Sequence, residues 1–166
     1  MSVPAVRRII VGVDGSVESV AALRWACREA SLRGAELHAV HVREELCYSV
    51  ASYAAVPALP TADDVSLDVE DLVRSVKDDQ APDIKFRAEV VDGLPARVLL
   101  DRCDGAEMLV LGTSNDGPGS PRSAGPVIRA CLRRASCPVV VISAAQDPMP
   151  RREPVSAGSI KVPAGV

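Results

Sequence analysis

Five short apolar runs punctuate the chain, and the segments between them carry apolar residues at helical spacing. The first run, Ile9-Ile-Val-Gly-Val, predicts a strand over 6–13. It ends in Gly12-Val-Asp14-Gly-Ser16, a turn-forming cluster. Ser16 is placed to cap the next helix, and Glu18 in its first turn suits the helix dipole. Val20, Leu23, Cys27 and Ala30 form one stripe of that helix, which runs to Arg33 and stops at Gly34. Residues 35–42 predict the second strand. Residues 43–60 have no clean period and contain Pro57, Pro60, Tyr48 and Tyr53, an irregular excursion with a short helical piece. Thr61-Ala-Asp-Asp64 has the form of a capping box with Asp in place of Glu. Val65, Val69, Leu72, Val73 and Val76 continue it as a helix to Asp79. Over 84–91, Ile84, Phe86, Ala88 and Val90 alternate with Lys85, Arg87 and Glu89, a half-exposed strand towards a sheet edge. Asp92-Gly93 then leads into a helix over 95–103, with Leu99 and Leu100 inward and Gly105 at its end.

The stretch 106–142 repeats the scheme. Met108-Leu-Val-Leu-Gly112 and Cys137-Pro-Val-Val-Val-Ile142 are continuous apolar runs, which suit strands buried on both faces of a parallel sheet. Between them lie a loop rich in Gly, Ser and Pro and an amphipathic helix opening at Gly125-Pro126, where proline is well tolerated. Its apolar stripe is Val127, Cys131 and Leu132; Arg129, Arg133 and Arg134 mark the wet face. The alternation of five strands with four helices demands a parallel sheet covered by helices on both faces. In such sheets ligands bind beyond the carboxyl ends of the strands, where strand order reverses. The loops after the first and fourth strands are then the natural site walls. From 144 to 166 the chain holds Pro148, Pro150, Pro154 and Pro163 without any period. The expected organisation is one domain over 1–143 and a Pro-rich disordered tail over 144–166.

Composition narrows the function. The chain has 166 residues and four aromatic ones, so its core is aliphatic. A formal charge of -3 argues against a general nucleic-acid or anionic-membrane binder, both of which need clustered positive charge. No apolar run reaches the ~18 residues of a membrane span. The N-terminus lacks the order of a signal peptide, so a cytoplasmic location is expected. The five cysteines include no Cys-x-x-Cys pair, and no metal site or disulfide is expected. Cys27, Cys103 and Cys131 fall on helix stripes as small hydrophobes. His38 and His41 lack a partner at metal or catalytic spacing and read as structural. Ser16 reads as a cap, because no Gly-x-Ser-x-Gly elbow surrounds it.

The segments Ile9-Ile-Val-Gly-Val-Asp-Gly-Ser16, Ala22-Leu-Arg-Trp-Ala26, Val40-His-Val42, Gly93-Leu-Pro-Ala96, Leu109-Val-Leu-Gly112 and Ala135-Ser-Cys-Pro-Val-Val-Val141 together resemble the universal stress protein family, in a single-domain bacterial, actinobacterial-like form. The resemblance covers nearly everything from Val6 to Ser143. It implies a three-layer α/β/α domain of the adenine nucleotide α-hydrolase-like type, with a five-stranded parallel sheet of order 3-2-1-4-5. It also implies a homodimer, here through the apolar edge strand from Pro138 to Ile142, and no catalytic residue beyond at most slow ATP hydrolysis. Some members bind ATP and others do not.

By the same resemblance, the candidate nucleotide site comprises Gly12, Val13 and Asp14 after the first strand, Val42 beside the adenine, and a loop with Gly, two residues, Gly, nine residues, Gly, then Ser or Thr. Gly112 and Gly125 match the first and third glycines at full spacing. Asn115 stands at the second glycine and Pro126 at the hydroxyl position. Asn tolerates a left-handed backbone, whereas Pro126 removes both a hydroxyl and an N–H. Asp116 adds a negative charge that Arg122 offsets. The phosphate half is therefore read as degraded, with ATP or another adenine nucleotide bound weakly or not at all. Asp14 stays open between two roles, a ribose ligand and a plain turn former. The alternative function is a dimeric scaffold that binds no nucleotide and acts through protein contacts with an unknown partner.

Overall fold

The computed structural model describes residues 7–44, 62–113 and 124–144. Its elements are β1 (Arg8–Gly12), α1 (Val17–Arg33), β2 (Glu36–Arg43), α2 (Ala62–Gln80), β3 (Phe86–Asp92), α3 (Pro95–Cys103), β4 (Met108–Thr113), α4 (Pro126–Arg134) and β5 (Val139–Ser143). The strands form one parallel sheet in the order β3-β2-β1-β4-β5. Order reverses between β1 and β4, which opens a crevice above their carboxyl ends. The irregular excursion expected over 45–60, the Thr61 cap, the loop residues Asn115, Asp116 and Arg122, and the tail beyond 144 lie outside the described residues.

Alternation along the strands divides the core into two layers. Ile9 and Val11 of β1, Leu37 and Ala39 of β2, and Met108 and Val110 of β4 pack with Leu23, Cys27, Ala30, Val69 and Val73 of α1 and α2. Ile10, Val40, Leu109 and Leu111 pack on the other face with Leu99, Cys103, Ile128 and Cys131 of α3 and α4. Burying each large aliphatic side chain contributes roughly 1.5–3 kcal/mol, so the aliphatic core suffices without aromatic bulk. Helix ends follow local chemistry. Ser16 Oγ accepts the Ser19 N–H at 3.2 Å, Glu18 sits in the first turn, and Gly34 takes the left-handed conformation (φ 60°) that only glycine adopts cheaply.

The structure corrects the sequence reading at α4 and β5. Leu132 was expected inward but is 56% exposed, while Ile128 is only 7% exposed. The cause is helical geometry: Ile128 lies three residues from the fully buried Cys131, on the same face, whereas Leu132 is rotated by about 100°. Leu100 is half-buried for the same reason, next to the buried Leu99 and Cys103. β5 is half-buried at every position rather than buried on both faces, because β4 pairs with one of its edges and among the described residues nothing pairs with the other. β3 lies at the opposite edge, as its alternation predicts, with Phe86, Ala88 and Val90 on the core.

Candidate functional site

The turn after β1 is built by a short hydrogen-bond relay. Val13 N–H donates to Val40 O at 2.9 Å, which carries sheet pairing one residue past β1. His41 Nδ1 lies 2.8 Å from the Val13 carbonyl. A carbonyl only accepts, so Nδ1 carries the proton, and His41 is a brace for this turn. Beyond it, the Ser16 N–H and Oγ–H both donate to Asp14 Oδ1, at 2.9 and 2.5 Å. Ser19 Oγ donates to the Ser16 carbonyl at 3.0 Å. Burial alone would raise the Asp14 pKa. The hydrogen bonds from Ser16 and Ser19 outweigh it and hold the carboxyl below its ordinary 3.8. Asp14 is thus ionised and fixed in orientation by the start of α1, so the turn-forming role is realised in the structure.

This turn forms one wall of a cavity of about 420 Å³ over β1 and β4, inside the ~300–1,000 Å³ range of small-molecule sites. The structure brings Gly12, Val13, Asp14, Val42, Gly112, Gly125 and Pro126 to this one cavity. Asn115 lies outside the described residues. The rest of the lining is mainly aliphatic: Val40, Leu99, Leu111, Val127 and Ile128.

The two motif glycines have different physical reasons. A Cβ on Gly112 would stand 2.7 Å from Ser19 N and closer still to the Glu18 carbonyl, so glycine here lets β4 touch the backbone of α1. Gly125 has an ordinary negative φ of -54°, and a Cβ there would meet nothing within 4 Å. Its missing side chain leaves open space at the cavity mouth.

Charge around the cavity pulls in two directions. The first turns of α3 and α4 both border it, through Pro95 and through Pro126, Val127 and Ile128. Neither helix has a side-chain cap. Their first-turn N–H groups and dipoles therefore favour an anion. Against this, the charged groups among the described lining residues are the carboxylates Asp14 and Glu44. Among the described residues no group of three His, Cys, Asp or Glu side chains is arranged for a metal ion, and no helix is long and apolar enough to cross a membrane.

Sequence reasoning missed Ser19, Val40, Glu44, Pro95, Leu99, Leu111, Val127 and Ile128 as lining residues. A usable signal exists for half of them. In a parallel sheet the first turn of each following helix sits beside the carboxyl ends of the strands, which marks Ser19, Pro95, Val127 and Ile128. Glu44 carries no such signal beyond standing one residue past β2.

Comparison with known proteins agrees with this geometry. Residues 5–143 match the model of the universal stress protein family. A universal stress protein of Mycobacterium tuberculosis is 34% identical over 159 residues, covering 90% of this chain and 53% of the relative. The chain thus spans about half the length of the curated relatives it matches. A universal stress protein structure from Archaeoglobus fulgidus superposes with a TM-score of 0.62 at 22% identity, over 82% of this chain and 98% of that one. The Archaeoglobus fulgidus protein in complex with dAMP gives a TM-score of 0.59 at 21% identity, over 83% of this chain and 98% of that one. At such identities the superpositions show the shared fold.

Proposed function

The chain belongs to the universal stress protein family, and from that premise we propose that it is a regulatory module that accepts an adenine nucleotide weakly through its nucleoside end. The observation that carries the proposal is the cavity itself. It sits at the strand-order reversal, and its lining combines aliphatic side chains, which suit a base, with the carboxylates Asp14 and Glu44. Val40, Val42, Leu99 and Leu111 offer apolar surface to an adenine. Asp14 offers a ribose hydroxyl its second oxygen, since both Ser16 bonds fall on Oδ1. The dAMP complex of the Archaeoglobus fulgidus protein supports an adenine nucleotide as the ligand class.

The phosphate end is the weak half of this reading. Pro126 supplies neither a hydroxyl nor an N–H, and α4 begins there. Losing one hydroxyl bond to a charged phosphate costs ~1.5–3 kcal/mol, about one to two decades of affinity. Asp14 and Glu44 add repulsion that grows with each further phosphate, while the α3 and α4 dipoles still favour the first one. The proposal therefore includes little discrimination between ATP and AMP. It assigns no catalytic residue and at most slow ATP hydrolysis. Such a module belongs in the cytoplasm, where adenine nucleotides are abundant.

Titration calorimetry of the full chain with AMP, and with ATP and Mg²⁺, tests it. The expected result is two weak affinities within about tenfold of each other. ATP binding in the low micromolar range, or protein that purifies with ATP bound, overturns it.

A second reading is favoured by β5. This apolar strand is half-buried throughout and carries none of the charges that usually protect a sheet edge. We propose a homodimer through residues 138–142, from Pro138 to Ile142. If no nucleotide binds, that surface carries the function as a scaffold for protein contacts.

A further inference from the structure

Three cysteines meet at the end of the sheet opposite the nucleotide cavity. Cys103 closes α3, Cys131 lies on α4, and Cys137 stands two residues ahead of β5. Cys103 and Cys131 are fully buried in one core layer, and Cys137 packs against the same layer while remaining half-exposed. Pairing of the strands fixes this arrangement. Leu109 N–H donates to Pro138 O at 2.9 Å, and Leu109 pairs with Val139, so the connection from Cys103 into β4 runs beside the connection from Cys137 into β5. Cys137 thus packs in the layer that holds Cys103 and Cys131, and it is the thiol whose electrostatic influence Cys103 feels most.

The three thiols differ in what they can do. Burial, and then the Cys137 thiol, push Cys103 up to about 12, and burial also raises Cys131. Both are also closed to solvent, so neither is the first to meet an oxidant. Cys137 is the member of the corner open to solvent, and Cys103 is the thiol waiting behind it.

We propose that Cys137 is an oxidant-modified site that closes a disulfide with Cys103. The oxidant class is a hydroperoxide. The Cys137 sulfur attacks the peroxide, the O–O bond breaks, and Cys137 sulfenic acid and water (or an alcohol) form. Cys103 sulfur then attacks the Cys137 sulfur, and its proton leaves with the hydroxyl as a second water. Each sulfur is oxidised by one electron, and the two peroxide oxygens are reduced. The bond ties the end of α3 to the entrance of the edge strand. The proposal is independent of nucleotide binding.

The test uses the full reduced chain, treated with equimolar hydrogen peroxide, alkylated and mapped by peptide mass spectrometry. The expected result is the loss of two of the five free thiols, a mass lower by two hydrogens and a Cys103–Cys137 linked peptide. Cys137→Ser should leave Cys103 reduced under the same treatment, and Cys103→Ser should leave a sulfenic acid on Cys137 that dimedone traps. Full alkylation of Cys137 after peroxide overturns the proposal, and so does linkage of Cys137 to Cys131 or Cys47 in place of Cys103. The map of the unmodified chain decides the matter even if the buried Cys103→Ser variant fails to fold.

Discussion

Gly112 and Gly125 occupy equivalent places in the sequence motif, yet the structure gives them opposite sensitivities to an added methyl group. Gly112→Ala puts a Cβ 2.7 Å from Ser19 N and nearer still to the Glu18 carbonyl. These are backbone atoms that no side-chain rotation can move away. The first turn of α1 must retreat by roughly an ångström to restore ordinary contact distances. That retreat opens the layer where Ala22, Leu23 and Val110 pack without exposure. Overpacking of a well-filled core costs about 1–3 kcal/mol. For a domain of this size it lowers the melting temperature by roughly 2–12 °C. Gly125→Ala meets nothing within 4 Å, and replacing Gly by Ala at an N-cap costs only ~1 kcal/mol or less. It should melt near the parent but bind nucleotide more weakly, because the methyl group enters the cavity mouth. Calorimetric melting of both variants beside the parent checks the contrast. A Gly112→Ala protein that melts with the parent, or a Gly125→Ala protein that loses more stability than Gly112→Ala, refutes the assignment of the two glycines.

Ser16→Ala removes both the α1 cap and the donor to Asp14, and should lower stability by about 1 kcal/mol, read as a lower urea midpoint. Glu89 is hydrogen-bonded by Arg102 at 3.2 Å through Nε, and that bond holds its carboxyl below the ordinary 4.5. Because the folded value is depressed, the pair stabilises above the unfolded pKa and this contribution fades as pH falls through the folded one. Glu89→Gln should therefore cost ~0.2–1 kcal/mol at neutral pH for so exposed a pair, and nothing in strong acid. Val140→Lys puts a charge on the β5 edge and should shift light scattering from dimer towards monomer; an unmodified chain that is already monomeric at high micromolar concentration removes the dimer.

The elements were legible in the sequence because their signals are local. Ser16 before an apolar stripe, Gly34 after one, and uninterrupted Ile, Val and Leu runs each state their structure within a few residues. The strand alternation of 84–91 even placed β3 at an edge. The sheet order came with the family resemblance, and the structure bears it out. What stayed hidden depends on distant parts of the chain. The rotation of α4 that buries Ile128 and exposes Leu132 is set by packing on α3 and β5. The contact that requires glycine at 112 is made with α1, more than ninety residues earlier. The packing of Cys103 and Cys137 in one layer depends on strand pairing, and the brace from His41 ties β2 to the turn after β1, which no spacing rule connects. Of the site, the residues at strand ends were readable, while those contributed by helix first turns needed the sheet to be assembled.

The central claim is that the cavity keeps its nucleoside half and has lost its phosphate half. Restoring the family pattern with Asn115→Gly and Pro126→Ser in one protein, followed by titration with ATP and Mg²⁺ and with AMP, tests it most directly. The account predicts that ATP affinity rises by about one to two decades while AMP affinity changes much less. An unchanged ATP affinity, or equal gains for both nucleotides, contradicts it.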